Sequence, residues 1–253
     1  MAVDEAILET TGQGQANPTL RFYAWEPACI SLGYGQPLTD VNLPKLQSNG
    51  WDVVRRPTGG RAVLHVDELT YSISGSASDP LLSGGVLETY QRIARVLVHA
   101  LNALGVLAEM EGNKVSRGGG NVNPVCFEVP STYEITAKGK KIIGSAQARR
   151  GNGVLQHGSL PLKGDLTRIL QILSYPTEED RREAGRHLLD HATTLDSLVG
   201  RDISWDEVSE RIAQSFREVH ELELEPGDLT PEERERALYF MNAKYNSPEK
   251  YKR

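Results

Sequence analysis

Cysteine is scarce in this chain: Cys29 and Cys126 are the only two among 253 residues. Two thiols cannot staple a chain of this length, which excludes a secreted disulfide scaffold. Long apolar runs are missing as well. The longest, around Val96 to Leu107, is broken by His99 and Asn102 and is too short to span a bilayer. No basic, then apolar, then small-residue segment opens the sequence, so no secretory leader is expected. An excess of positive charge is also absent. With 28 Lys and Arg against 34 Asp and Glu the formal net charge is −6, which argues against broad nucleic-acid binding, because that requires many phosphate-neutralising cations. Repeats and low-complexity tracts are lacking too. At 39% hydrophobic and 25% charged residues, the chain has the composition of an ordinary soluble globular protein. We expect a cytoplasmic protein with neither a membrane nor a nucleic acid as partner.

What is present reads as strands and helices mixed. Leu20 to Trp25, Cys29 to Leu32, Trp51 to Arg56 and Leu69 to Ser74 carry β-branched and aromatic residues between turn signals, the pattern of strands. Val86, Tyr90, Ile93, Leu97, Leu101 and Leu104 recur at spacings of three and four, which predicts an amphipathic helix ending near Gly105. Glu111 to Pro124, with Gly118-Gly119-Gly120 at its centre, reads as loop. Thr132 to Ala137, Lys141 to Ala146 and Gly153 to Leu162 read as a strand meander. Beyond Asp165 the chain turns helical and charged. Ser204 with Glu207 predicts a capping box, and Thr230-Pro231-Glu232-Glu233 predicts another helix start. The expected organisation is a mixed α/β body over residues 1–198 with a helical extension over 199–253.

Several chemistries can be weighed on residue patterns alone. His187 and His191 would share a helix face but lack the Glu of a His-Glu-x-x-His motif, so a surface pair is favoured over a metal site. His65 with Asp67 lacks a third ligand, and the two cysteines are far apart, so no structural zinc site is expected. The triple glycine is followed by no helix start and no Gly-Lys-Ser/Thr, which disfavours a phosphate loop. Ser145 lies outside any Gly-x-Ser-x-Gly elbow. Cys126 stands before a strand, fifteen residues ahead of Lys141. From Ile135 to Gly164 there is no acid at all, only Lys138, Lys140, Lys141, Arg149, Arg150 and Lys163. A neighbouring cation lowers a thiol's pKa and makes it nucleophilic, yet a lone cysteine is more often a small buried apolar residue. On these grounds both readings of Cys126 stay open. The basic stretch is either a solvated hairpin or a docking patch for an acidic partner or phosphate.

These motifs together resemble the biotin/lipoate protein ligase superfamily, in its lipoate-protein ligase A branch. The resemblance runs over most of the chain. It is carried by Met1-Ala2-Val3-Asp4-Glu5-Ala6-Ile7-Leu8, by Ser31-Leu32-Gly33-Tyr34-Gly35-Gln36, and above all by Arg55-Arg56-Pro57-Thr58-Gly59-Gly60-Arg61-Ala62-Val63-Leu64-His65. Lys141-Ile142-Ile143-Gly144-Ser145-Ala146-Gln147, Leu155-Gln156-His157-Gly158-Ser159-Leu160 and Lys244-Tyr245-Asn246-Ser247 extend it. Cys126-Phe127-Glu128-Val129-Pro130-Ser131-Thr132-Tyr133-Glu134 is similar to the cysteine-dependent octanoyltransferases of that branch, and Arg61 stands where ATP-using ligases more often carry a third glycine.

The resemblance implies a mixed sheet flanked by helices with a channel for an acyl chain. It implies catalytic roles for Cys126, as acyl-thioester nucleophile, and Lys141, which lowers its pKa. Arg56, Gly59, Gly60, His65 and His157 would line the acyl and pantetheine channel, and backbone groups at Gly144 and Ser145 would assist the oxyanion. The implied donor is octanoyl-acyl carrier protein. The implied acceptor is a lipoyl domain, that of glycine cleavage H protein or of a dehydrogenase E2 subunit. No cofactor is implied for this reaction, whereas the alternative of an ATP-dependent lipoate ligase would need ATP and Mg. A lipoyl-domain-to-lipoyl-domain amidotransferase is a further alternative.

Overall fold

The computed structural model describes residues 1–112 and 133–246. Helix α1 (Ala2–Gly12) leads into strands β1 (Thr19–Tyr23) and β2 (Cys29–Leu32), the short helix α2 (Leu43–Ser48), and strands β3 (Asp52–Arg55), β4 (Val63–His65) and β5 (Glu68–Ser76). Helix α3 (Val86–Ala103) follows, then β6 (Ala108–Gly112), β7 (Tyr133–Ala137), β8 (Lys140–Arg150) and β9 (Gly153–Pro161). The rest is helical: α4 (Glu178–His191), α5 (Leu195–Val199), α6 (Trp205–His220) and α7 (Pro231–Phe240), which runs into a π-helical turn at Met241–Tyr245. Among the described residues, no helix is long and apolar enough to cross a membrane.

Two sheets organise these elements. The larger has the order β1-β5-β9-β8-β7-β6 and is antiparallel throughout. The smaller has the order β3-β2-β4, with β2 parallel to β3 and antiparallel to β4. The result is the mixed α/β arrangement, sheet flanked by helices, that the motifs implied.

The central strand β5 shows how the layers form. Its side chains alternate between two faces. Leu69, Tyr71 and Ile73 point into the main core with Ile93 and Leu97 of α3 and Val208, Ile212 and Phe216 of α6. Each such buried side chain contributes roughly 1.5–3 kcal/mol of transfer free energy. Glu68, Thr70, Ser72 and Ser74 occupy the other face, and all four are buried. That polar face is covered by α1 and the small sheet rather than by water. A second core, built on Ile30, Leu32, Val53, Ile172 and Leu188, holds the small sheet against α4.

Most element positions agree with the sequence pattern, and the differences have local causes. The helix read from the Val86–Leu104 stripe is α3, and Gly105 beyond it takes the left-handed conformation (φ 87°) that ends helices. Glu111, expected in a loop, extends β6 because it pairs with Glu134 of β7. Residues 113–124 of that loop, with Gly118-Gly119-Gly120, lie outside the described residues. Thr230 forms the full capping box with Glu233 and has Pro231 at the first helical position. At α6, Ser204 accepts from the Glu207 amide (3.1 Å), while the Glu207 carboxylate turns to Arg201 (3.0 Å) instead of back to the cap.

The acid-free basic run does not form one surface. Lys140 donates to the Leu189 carbonyl, Lys141 pairs with Glu134, Arg149 donates to Thr89 (2.8 Å) and Arg150 to Glu5 (2.9 Å). These residues are spread along the eleven-residue strand β8, at about 3.4 Å per residue, and their charges are spent on different parts of the body.

Candidate acyl-transfer site

Strands β5 and β9 are neighbours in register, Thr70 opposite Ser159 and Ser72 opposite His157. Directly opposed residues share a face, so the buried polar face of β5 continues onto β9. Where this face meets the small sheet there is a pocket open to solvent, lined by Ser31, Arg56, His65, Thr70, Gly144, Ser145, His157 and Ser159 among others. Five of the residues singled out in the sequence, Arg56, His65, Gly144, Ser145 and His157, thus come together from four separate segments.

His65 ends β4 and stacks on Trp25, ring centroids 4.4 Å apart. Its Nε2 is 2.8 Å from the Ser31 hydroxyl, and its Nδ1 is 3.3 Å from Oε1 of Glu68. Proton positions in this chain follow from which groups can only donate. Arg56 can only donate, and it does so to the Ser31 hydroxyl (3.1 Å). The Trp25 indole can only donate, and gives its N–H to the Thr70 hydroxyl (3.0 Å). Thr70 in turn donates to Glu68 (2.6 Å), as does Ser159 (2.5 Å). Glu68 is the acceptor on which the chain converges. Nδ1 of His65 therefore carries a proton toward Glu68, and Nε2 accepts from Ser31.

Asp67, weighed in the sequence beside His65 only as a metal-ligand pair without a third ligand, does not face that ring. Asp67 instead sits in a left-handed turn (φ 51°) between β4 and β5, which aims its carboxylate at Arg168 (2.8 Å). Glu68, the first residue of β5, is the one that alternation directs inward. Nothing in the local sequence distinguishes the two acids until the turn is known.

His157 has a different setting. Its Nε2 is 2.6 Å from the Thr58 hydroxyl, and its Nδ1 lies 3.8 Å from Asp4, an electrostatic contact rather than a hydrogen bond. Burial pushes the His157 pKa down. Asp4 is buried at the start of α1 and receives Arg21, Tyr23 (2.6 Å) and Ser72 (2.9 Å). Burial alone would raise its pKa, but the facing His157 ring and the nearby positive charge, including Arg21, hold it well below the usual carboxylate range. Burial and the adjacent Asp4 push Tyr23 well up. Asp4, Ser31, Thr58 and Glu68 were not singled out from the sequence. Asp4, Ser31 and Thr58 lie within the matching motifs, whereas Glu68 lies outside all of them.

Arg56 is buried, and its guanidinium also gathers the carbonyls of Ser31 (2.9 Å), Gly59 (2.8 Å) and Arg61 (2.7 Å). It thereby holds the Pro57–Arg61 loop beside the cavity. Gly60 adopts φ 91°, and its carbonyl packs so close to Gly33 that a Cβ there would lie 1.9 Å from the oxygen. Gly59, Gly60 and Arg61 thus shape the loop behind Arg56 and are not themselves among the cavity lining. On the opposite wall, a Cβ at Gly158 would meet the Tyr71 ring at 2.6 Å and the Ser145 hydroxyl at 2.7 Å. The Ser145 hydroxyl bonds the Tyr71 hydroxyl (2.8 Å), consistent with a packing role for that serine.

Lys141 lies on β8, three residues before Gly144. Its side chain is only 6% exposed, and Nζ donates to Glu134 at 2.8 Å. Burying an ammonium without a carboxylate would cost several kcal/mol, and Glu134 on the adjacent strand supplies a carboxylate beside it. Cys126 lies outside the described residues. His187 and His191 stack on the outer face of α4, centroids 4.0 Å apart. Among the described residues, no group of three His, Cys, Asp or Glu could hold a metal ion.

The fold and this cavity define a class, and comparison with known proteins agrees with it. Residues 1–217 match the lipoyl protein ligase A/B catalytic domain. The chain belongs to that family. Octanoyltransferase LipM of Kyrpidia tusciae is 42% identical, covering 98% of this chain and 92% of the relative. Octanoyltransferase LipM of Moorella thermoacetica is 40% identical over 100% and 93%. Among solved structures, the bipartite lipoate protein ligase of Thermoplasma acidophilum superposes with a TM-score of 0.80 at 25% identity, covering 99% of this chain and 89% of that one. A lipoate-protein ligase A bound with ATP gives 0.79 at 26%, covering 99% and 91%.

Proposed function

We propose that this protein is an octanoyltransferase that moves an octanoyl group from acyl carrier protein to a lysine of a lipoyl domain, through a thioester on Cys126. The observation that carries this reading is the cavity. It gathers Arg56, His65, His157 and the Gly144-Ser145 pair in a chain whose relatives at about 40% identity are named octanoyltransferases. Its mixed polar and apolar lining suits a medium-chain acyl group with a carbonyl at one end.

In the first half-reaction the Cys126 thiolate attacks the carrier thioester. A new C–S bond forms to Cys126, and the carrier thiolate leaves. In the second half the lipoyl-domain lysine attacks, the C–N bond forms and the Cys126 sulfur departs with its electron pair. Covalent catalysis of this kind divides one transfer into two steps and produces ping-pong kinetics. Lys141 would serve as the cation that favours the thiolate and then the developing oxyanion. Converting a thioester to an amide is downhill, so the reaction needs no ATP.

The test is intact mass of the purified protein after mixing with octanoyl-acyl carrier protein without ATP. We expect one hydroxylamine-sensitive octanoyl adduct, absent from Cys126→Ser. The structural likeness to an ATP-bound lipoate-protein ligase A favours one second reading, an ATP-dependent ligase. Absence of the adduct, with lipoyl-domain modification once lipoate, ATP and Mg are supplied, would decide for it.

A further inference from the structure

Glycine costs a folded chain backbone entropy, and it stands where the fold needs a positive φ or where a Cβ would collide. Gly35 and Gly59 meet neither need. Neither takes a positive φ, and a Cβ built on either would have nothing within 4 Å. Both are exposed, on two loops that touch, residues 33–36 and 57–61. The Tyr34 amide donates to the Thr58 carbonyl (2.8 Å), and Gly33 packs against the Gly60 carbonyl.

Each loop is tied from behind by a buried arginine. Arg55 gathers the carbonyls of Gly33 (3.0 Å), Tyr34 (3.2 Å) and Gln36 (2.5 Å), as Arg56 gathers those of Gly59 and Arg61. The two tips are therefore fixed before a partner arrives, which reduces the ordering cost of binding. Outward they present Tyr34, 63% exposed, and the two bare glycines. Arg61 stands beside them, and its guanidinium has no hydrogen-bond or ionic partner among the described residues. Tyr and Arg on a rigid surface are residue types that dominate the energetics of protein interfaces. One guanidinium separates this rim from the pocket, because Arg56 also donates to the Ser31 hydroxyl (3.1 Å), which lines it.

We infer that this rim seats the acceptor domain, gripping the turn that presents its target lysine and an acid beside that lysine. The inference rests on the transferase reading given above. Reach decides between the two macromolecular substrates. A lysine side chain is a four-carbon stem of about 6 Å, so the backbone that carries it must come close to the acyl pocket. A tip without side chains allows that approach. An acyl group on a carrier protein hangs from a long pantetheine arm, and the body of the carrier can stay well away. Charge points the same way. A lysine alone would be repelled by Arg61, so the surface that fits brings a carboxylate with it, and such pairing raises specificity and on-rate. Tyr34 supplies the apolar contact area.

The experiment separates the two half-reactions. Octanoyl-enzyme is formed from octanoyl-acyl carrier protein, followed by intact mass, and then discharged to a lipoyl domain or to hydroxylamine, which is small and needs no docking. We expect Gly35→Gln and Tyr34→Ala each to lower the second-order rate with the lipoyl domain by about tenfold or more, the scale of losing one interface anchor. Loading from the carrier and discharge to hydroxylamine should stay those of the unaltered protein. The urea midpoint of Gly35→Gln should not fall, since the new side chain starts into open space. Arg61→Gln should lower the lipoyl-domain rate and flatten its dependence on salt. The unaltered protein gives a reading that depends on no variant: its lipoyl-domain rate should fall as salt rises, while its hydroxylamine rate should not. Unchanged lipoyl-domain rates in Gly35→Gln and Tyr34→Ala would overturn the inference. So would a loss confined to loading from the carrier, which would give the rim to the donor. Failure of the unaltered protein to form the octanoyl-enzyme would sink the transferase reading itself, before any acceptor is added.

Discussion

Two histidines face two carboxylates around one cavity, and the two couples differ in what their hydrogen bonds leave available. Around His65, donor-only groups at both ends direct the protons toward Glu68, and Nε2 accepts from Ser31. Around His157, the carboxylate is saturated by Arg21, Tyr23 and Ser72, and the imidazole is wedged between Asp4 and Thr58. In the first couple both ring nitrogens are hydrogen-bonded. The second ties α1, β1, β5, β9 and the Pro57–Arg61 loop together, and a proton gained there would disturb all of them. A histidine–carboxylate pair therefore says little by itself. What else the carboxylate holds decides its use.

The sharpest way to break this comparison is Asp4→Asn. It leaves Arg21 facing a neutral amide in a buried site, and breaking such a pair costs about 3–5 kcal/mol. We expect a corresponding drop in the urea midpoint. A loss below 1 kcal/mol would mean the Asp4 network is not structural. Thr58→Val should cost less, about 1–3 kcal/mol, by leaving Nε2 of His157 buried without a partner. The same urea midpoint reads it, and an unchanged midpoint would mean that the Thr58 contact does not hold the ring.

The smallest effect concerns pH. The pKa values of both His157 and Asp4 are depressed in the folded protein, so below their ordinary values the unfolded chain binds more protons and acid favours unfolding. Stability from His157 is complete above its ordinary value of 6.5 and declines as pH falls through that region. The contribution of Asp4 is complete above 3.8 and declines below it. Thermal unfolding scanned from pH 7.5 downward should show the first decline near 6, and Asp4→Asn should flatten the lower one. A midpoint independent of pH over this range would contradict both assignments.

Much of this was legible in the residues. The Val86–Leu104 stripe has the helical period, and the Gly-punctuated meander over 133–162 has the strand period, so α3 and β7 to β9 could be placed from local pattern. Arg56, His65 and His157 could be singled out because they sit in runs whose order matches a family. The partner of His65 could not. Asp67 and Glu68 are adjacent acids, and only the left-handed turn at Asp67 sends one to Arg168 and the other inward. The reach of the basic run was equally hidden, since a linear excess of charge does not reveal that Arg149 and Arg150 are drawn to Thr89 and Glu5.

Strand β5 marks the boundary between the two kinds of information. Its sequence, Glu68 to Ser76, alternates apolar and polar residues, and that alternation alone determined a strand with one face in the core, because successive side chains must point to opposite sides. The same pattern ordinarily describes a strand whose polar face meets water. Here α1 and the small sheet close over Glu68, Thr70 and Ser72. Burial removes water as their hydrogen-bond partner, so they must satisfy one another and their neighbours. That necessity, imposed by layers brought together from distant parts of the chain, is what produced the cavity and the two histidine couples.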